Sequence, residues 1–170
     1  MSQWSERKGF DYLIKAFVSE FGNNEDAILI LKTYSSVEAN SETMKQQIKN
    51  IKNMIRVPNK VNNIVLLPSF LPQGNINYLY QKADLFALLS RGEGFSLPIS
   101  EALMNNTPVL VPKGGGHMDY ITDDPDESEG AAFLVNGMWD TCISPMLPYD
   151  IDGKWFIPNI SSARERLREA

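Results

Sequence analysis

Short apolar runs alternate with amphipathic helical stretches along this 170-residue chain, and that alternation restricts its fold more than any other feature. Phe10, Leu13, Ile14, Phe17, Val18 and Phe21 recur every three or four positions, which predicts a helix ending at Gly22. Residues 27–31 form a continuous apolar run, the pattern of a strand covered on both faces. A polar helix follows, with Met44, Ile48, Ile51 and Ile55 on one side and Pro58 as its stop. Strands are predicted at 63–67, 84–89 and 108–111, with helices at 75–82 and 98–104 between them. Strand and helix in strict alternation imply an α/β fold, a parallel sheet flanked by helices. After Pro112 the pattern weakens. Gly114 to Gly116 make a flexible turn, residues 123–129 an acidic exposed loop, and 131–135 a last short strand. Residues 138–158 read as an irregular packed segment, and 161–169 as a terminal helix capped by Ser161 or Ser162.

Composition narrows the function classes. The length fits one domain, residues 1–170, with a real core. The net charge of −5 disfavours nucleic acid as a partner, which would call for a basic excess. Cys142 is the only cysteine, so neither a disulfide framework nor a thiolate metal site is expected. No run approaches the roughly 18 apolar residues of a membrane span, and residues 1–20 do not resemble a signal peptide. Sequons at Asn105 and Asn159 are read as chance, and the expected setting is the reduced cytoplasm.

The chemistry concentrates in residues 91–103, Arg-Gly-Glu-Gly-Phe-Ser-Leu-Pro-Ile-Ser-Glu-Ala-Leu. A strand enters, two glycines and a proline make the turn, and a helix leaves. A helix N-terminus offers free N–H groups and the positive end of a dipole, which suits phosphate. Glu93 before that turn and Glu101 in the expected first helical turn could accept hydrogen bonds from sugar hydroxyls. A nucleotide-sugar is the ligand this arrangement suggests. Other chemistries find no support: Ser90 and Ser96 lack the nucleophile elbow, and there is no Gly-Lys phosphate loop. His117 reads as structural or as a binding contact, not as a proton carrier.

In order and spacing, several segments resemble the retaining glycosyltransferases of the GT-B architecture, family 4. They are Arg7-Lys8-Gly9 before an amphipathic helix, residues 63–67, Tyr80-x-x-Ala83-Asp84, Glu93-x7-Glu101, and Asn106-Thr-Pro-Val-Leu-Val111. The likeness covers residues 4–122, and more loosely Lys154, Trp155 and Pro158. It implies a Rossmann-like domain, the C-terminal half of a GT-B fold, which holds a GDP- or UDP-linked sugar. It further implies that Glu101 holds the ribose and Glu93 the transferred sugar, while Gly94, Phe95, Ser96 and Leu97 offer N–H groups to the diphosphate. Lys8, with Arg7, would neutralise the diphosphate, and the loop containing Phe70 and Leu71 would lie near the base. Lys8 and Glu93 are the expected catalytic pair. No metal or other cofactor is expected, since N–H groups and a lysine can stabilise the departing diphosphate.

The sequence departs from the family in three places. Ser96 stands where the family often has glycine. The family's N-terminal half, with the acceptor site and a supporting histidine, has no counterpart here and is the expected missing partner; attachment to a membrane surface could come through it. Most of a strand expected ahead of Trp4, with a basic residue often found there, is also unrepresented, so the sheet should lack or replace a central strand. The alternative reading is a degenerate, non-catalytic interaction module; retention of Lys8, Glu93 and Glu101 weighs against it. An epimerase or a pyridoxal-phosphate phosphorylase would need groups that are not evident.

Overall fold

The computed structural model describes residues 2–24, 26–34, 41–57, 63–122, 131–142 and 152–170. Strands β1 (Ser2–Gln3), β2 (Leu29–Tyr34) and β3 (Ile64–Leu67) form one parallel ladder in the order β1-β2-β3. Strands β4 (Phe86–Ala87), β5 (Val109–Pro112) and β6 (Ala132–Val135) form another, in the order β4-β5-β6 and also parallel. Helices α1 (Phe10–Phe21), α2 (Ser41–Met54), α3 (Gln73–Lys82) and α4 (Leu97–Met104) alternate with them, and α5 (Ile160–Glu169) closes the chain.

Successive strand residues point to opposite faces, and helices pack on both, except over Ile28 and Ile30 at β2. Leu31, Leu89, Leu110 and Val135 pack with α1, Ile48 of α2 and Ala163 of α5 in one cluster. Leu88, Val109, Val111 and Leu134 pack on the other side with Tyr80, Ile99 and Ala102 from α3 and α4. The three-and-four spacing of α1 puts Leu13, Ile14, Phe17 and Val18 inward, and Ile14 and Val18 are fully buried. Each such side chain contributes about 1.5–3 kcal/mol by leaving water. Gly9 begins α1 at φ 63°, where a Cβ would sit 1.8 Å from the carbonyl oxygen of Leu89; only glycine lets the helix start so close to β4.

The Rossmann-like α/β expectation therefore holds, with three local corrections. The second strand runs Leu29–Tyr34, not 27–31, and Ile28 and Ile30 are 62% and 49% exposed, so one face is not covered. The segment expected to be irregular contains an antiparallel pair, β7 (Gly137–Thr141) with β8 (Lys154–Pro158). Every residue of β7 is exposed, so no inward–outward alternation announces it. The cap of α5 is Asn159, whose side chain accepts from the Ser162 N–H at 3.0 Å; Ser161 and Ser162 lie inside the helix. The short strand expected ahead of Trp4 is not corrected: Ser2 and Gln3 alone pair there, with Thr33 and Tyr34. The acidic stretch 123–129 and residues 143–151 lie outside the described residues.

Candidate functional site

The chain leaves β4 through buried Leu88, Leu89 and Ser90, turns through residues 91–96 and enters α4 at Leu97. Two arginines fasten this loop to the short 3-10 turn Glu6–Lys8. Arg7 donates to the Gly92 carbonyl, and Arg91, only 4% exposed, donates to the Glu6 carbonyl. The Arg91 N–H also donates to the Arg7 carbonyl at 2.7 Å. Arg91 then reaches Asp11 at 3.0 Å, with its guanidinium 4.6 Å from the Tyr12 ring centre.

That fastening brings Lys8, Arg7 and Glu93 together across 85 residues of sequence. Lys8 Nζ lies 2.7 Å from Glu93 Oε1, and Arg7 lies 3.6 Å from the same oxygen. Lys8 and Glu93 side chains are 10% and 5% exposed, so the pair is shielded from solvent. Two cations against one carboxylate leave a formal net charge of +1.

Helix α4 begins at Ser96, held at φ 59°, ψ 74°. This is left-handed backbone, which glycine adopts freely and serine only at a cost. Among the described residues, the N–H groups of Gly94, Phe95, Ser96 and Leu97 donate to no backbone carbonyl outside the helix. Pro98 has no N–H to offer and favours the first helical turn. Phe95 and Leu97 are exposed, at 60% and 65%. The Ser96 hydroxyl is buried without a partner. The resulting N-terminus is bare, with four donors that a ligand could engage.

Glu101 does not lie in the first turn of α4, as the sequence reading expected; that turn holds no acidic residue. It stands one turn further, half-buried, where Oε2 accepts a hydrogen bond from the Tyr80 hydroxyl at 3.2 Å. Burial, then the Glu101 charge and hydrogen bond, push the Tyr80 pKa upward. Tyr80 thus stays a neutral donor and fixes the carboxylate. Phe70 and Leu71 follow β3 at its C-terminal end; Phe70 is 90% exposed and Leu71 half-buried.

Sequence reasoning singled out neither Tyr80 nor Tyr120 as a positioning group. The Tyr120 hydroxyl donates to the Phe95 carbonyl at 2.6 Å, and its ring lies 4.8 Å from that of Phe95. The glycine loop serves the same backbone: Gly116 N–H donates to the Glu93 carbonyl at 2.9 Å, and a Cβ on Gly116 would sit 2.7 Å from the Gly94 carbonyl oxygen. His117 is fully buried behind this loop, with Nε2 2.8 Å from the Pro112 carbonyl. Burial lowers its pKa, against smaller opposing effects of Pro112 and Glu93. Its ring has no surface to offer a ligand, so the structural reading prevails. The visible signal for both aromatics was their position beside the two motifs, Tyr80 ahead of Asp84 and Tyr120 after the glycines.

Comparison with known proteins agrees with this architecture. Residues 1–136 match the family described as Glycosyl transferases group 1. A curated relative, an uncharacterized glycosyltransferase of Methanocaldococcus jannaschii, is 26% identical over 133 residues, which cover 78% of this chain and 28% of that protein. Among solved structures, the C-terminal domain of a glycosyl transferase group 1 protein from Francisella tularensis superposes with a TM-score of 0.62 at 20% identity. The match covers 80% of this chain and 65% of that one. The trehalose 6-phosphate synthase of Burkholderia multivorans gives 0.66 at 14% identity, over 99% of this chain and 33% of its own. An Anabaena protein solved with UDP-glucose gives 0.55 at 23% identity, over 71% and 31%. At these identities the structures speak for the fold, one Rossmann-like half of a GT-B glycosyltransferase. The chain spans about a quarter of the curated relative and a third to two thirds of these structures. With the family match extending over most of its length, this chain belongs to the glycosyl transferases group 1 family.

Proposed function

We propose that this chain is the donor-binding half of a retaining, family 4 glycosyltransferase that moves a hexose-type sugar from a nucleoside diphosphate to an acceptor. The observation that carries the reading is the Lys8–Glu93 pair, 2.7 Å apart and beside the bare N-terminus of α4. A diphosphate carries more negative charge than this cluster's single net positive charge balances. The N–H groups of residues 94–97 supply the remaining attraction as fixed partial charges. As the sugar–phosphate bond breaks, charge grows on the departing diphosphate, and donors already in place stabilise it without reorganising. Lys8 meets that charge. Glu93 holds Lys8 in line in the free protein and accepts from sugar hydroxyls in the complex. Glu101, oriented by Tyr80, accepts from the ribose. No metal ion is required by this arrangement. The acceptor would be presented by a second, N-terminal half, and the whole would work in the cytoplasm.

Both GDP and UDP suit the N–H cradle, and the UDP-glucose complex of the Anabaena neighbour favours uridine. Calorimetric titration of GDP, UDP and their sugars tests the reading. One nucleotide should bind saturably, and Glu101→Ala should weaken it by roughly 10- to 100-fold, the worth of a hydrogen bond to a charged group. Well-folded protein that binds no nucleotide would overturn the proposal.

A further inference from the structure

Two carbonyls of the loop before α4 are held by one short segment, residues 116–120. Gly116 N–H donates to the Glu93 carbonyl at 2.9 Å, and the Tyr120 hydroxyl donates to the Phe95 carbonyl at 2.6 Å. A peptide unit is planar and trans, so its C=O and N–H point in opposite directions. Holding the carbonyls of Glu93 and Phe95 therefore turns the N–H groups of Gly94 and Ser96 away from that segment. Both belong to the bare head of α4.

The two holds differ in kind. The first joins backbone to backbone and follows from the path of the chain through Gly116, where a Cβ would meet the Gly94 carbonyl oxygen. The second depends on one side chain. On the far side, the Ser96 carbonyl is fixed as the first acceptor of α4, taking the Ile99 N–H at 3.0 Å. The Phe95–Ser96 peptide thus lies between a fixed loop and a fixed helix, with Tyr120 gripping it from the side.

Ser96 makes that grip matter. Its φ of 59° is left-handed, a form disfavoured for serine by roughly 5- to 30-fold. Turning the Phe95–Ser96 peptide over would carry φ to the negative side, where L-residues are unstrained. The same turn would break the Tyr120 hydrogen bond and swing the Ser96 N–H round towards residues 116–120. Strain favours the flipped loop, and Tyr120 opposes it. The tyrosine ring is itself steadied, 4.8 Å from the Phe95 ring, and its hydroxyl also reaches the Ser96 carbonyl at 3.3 Å. Burial, then the Glu93 charge, raise the Tyr120 pKa above its ordinary value, so the hydroxyl keeps the proton it donates.

We propose that Tyr120 is a positioning residue for the donor: by holding the Phe95 carbonyl it keeps the Ser96 N–H turned out to the diphosphate, against the strain at Ser96. The proposal rests on the donor-binding reading above. Tyr120 touches no part of the ligand and acts through the backbone. Without its hold only a minor fraction of the chain would present that N–H, and apparent affinity would fall by the same fraction.

The test combines Tyr120→Phe, which keeps the ring and removes the donor, with Ser96→Gly, which removes the strain. Each chain is read twice: by the three-bond coupling between amide and α protons at residue 96 without ligand, and by calorimetric affinity for UDP and for GDP. In the unaltered chain the coupling should report left-handed backbone. Tyr120→Phe should move it to the value of a negative φ and weaken nucleotide binding roughly tenfold. In the Ser96→Gly background, where both backbone forms are open, the same change should weaken binding by no more than about threefold. Tyr78→Phe, at an exposed tyrosine on α3, should alter neither readout. An unmoved coupling in Tyr120→Phe, or an equal loss of affinity in both backgrounds, would overturn the proposal. Folded, unaltered chain that binds neither nucleotide would overturn the donor reading instead, and the coupling, read without ligand, would still decide the hold.

Discussion

Serine at position 96 holds a backbone conformation that costs an L-residue about 1–2 kcal/mol, and its hydroxyl is buried without a partner. Replacement by glycine removes both penalties and adds chain entropy to the unfolded state, which offsets about half of the gain. Ser96→Gly should therefore stabilise the fold by about 0.5–1 kcal/mol, a rise of ~2 °C in Tm by calorimetry; a fall in Tm would mean that the hydroxyl has a structural partner. Tyr80 offers a second, pH-dependent test. Its folded pKa is raised above the ordinary 10, so its contribution is complete below pH 10 and is lost as pH climbs towards the folded value. Tyr80→Phe should cost about 1 kcal/mol at pH 8, and the gap between variant and parent in urea titrations should narrow by pH 11. An unchanged gap would separate Tyr80 from Glu101. At this scale the arrangement of the candidate residues was largely legible: Lys8, Glu93 and the α4 turn lie together in the fold. Glu101 kept its candidacy but not its position, because the helix starts at Leu97 and leaves it a turn inside. Tyr80, Tyr120 and Arg91 act through space, and a lone aromatic or arginine leaves no local pattern.

Arg91 is where two elements are locked, the β4–α4 loop and the start of α1. Asp11 pairs with it at 3.0 Å and with Lys15 at 3.5 Å. Removing Asp11 leaves a nearly buried guanidinium without its carboxylate, whereas removing Lys15 breaks only a half-exposed pair one helical turn apart. Asp11→Ala should destabilise by ~1–2 kcal/mol, less than a fully buried pair would lose because Asp11 is 30% exposed. Lys15→Ala should cost ~0.5 kcal/mol or less in the same urea titration. Equal effects would place the contribution in α1 rather than in the lock. Helices α1 to α4 were readable because each carries its own apolar period or its own stops. The β7–β8 pair was not, because Gly137–Thr141 faces solvent throughout and its partner lies across residues 142–153. The strand expected at 84–89 keeps only Phe86–Ala87 in a ladder, since among the described residues one of its edges has no paired neighbour.

At the scale of the molecule, the parallel sheet with helices on both faces followed from the alternation alone, whereas its division into two ladders depends on which edges find partners. The donor-half reading predicts that the 170-residue chain binds nucleotide with an affinity unaffected by EDTA, and that it transfers no sugar to added acceptors. Product formation by the purified chain, or binding abolished by EDTA, would sink the corresponding part. No helix among the described residues is long and apolar enough to cross a membrane. The contacts that assemble the cluster, Lys8 with Glu93, Arg7 with Gly92 and Arg91 with Glu6, all close intervals of 85 residues. Closing intervals of that length costs chain entropy that must be met before the contacts offset it. During synthesis the basic half of the cluster leaves the ribosome long before its carboxylate. A ligand that spans both halves would then act as a clasp on the finished fold, adding stability in proportion to the logarithm of its concentration.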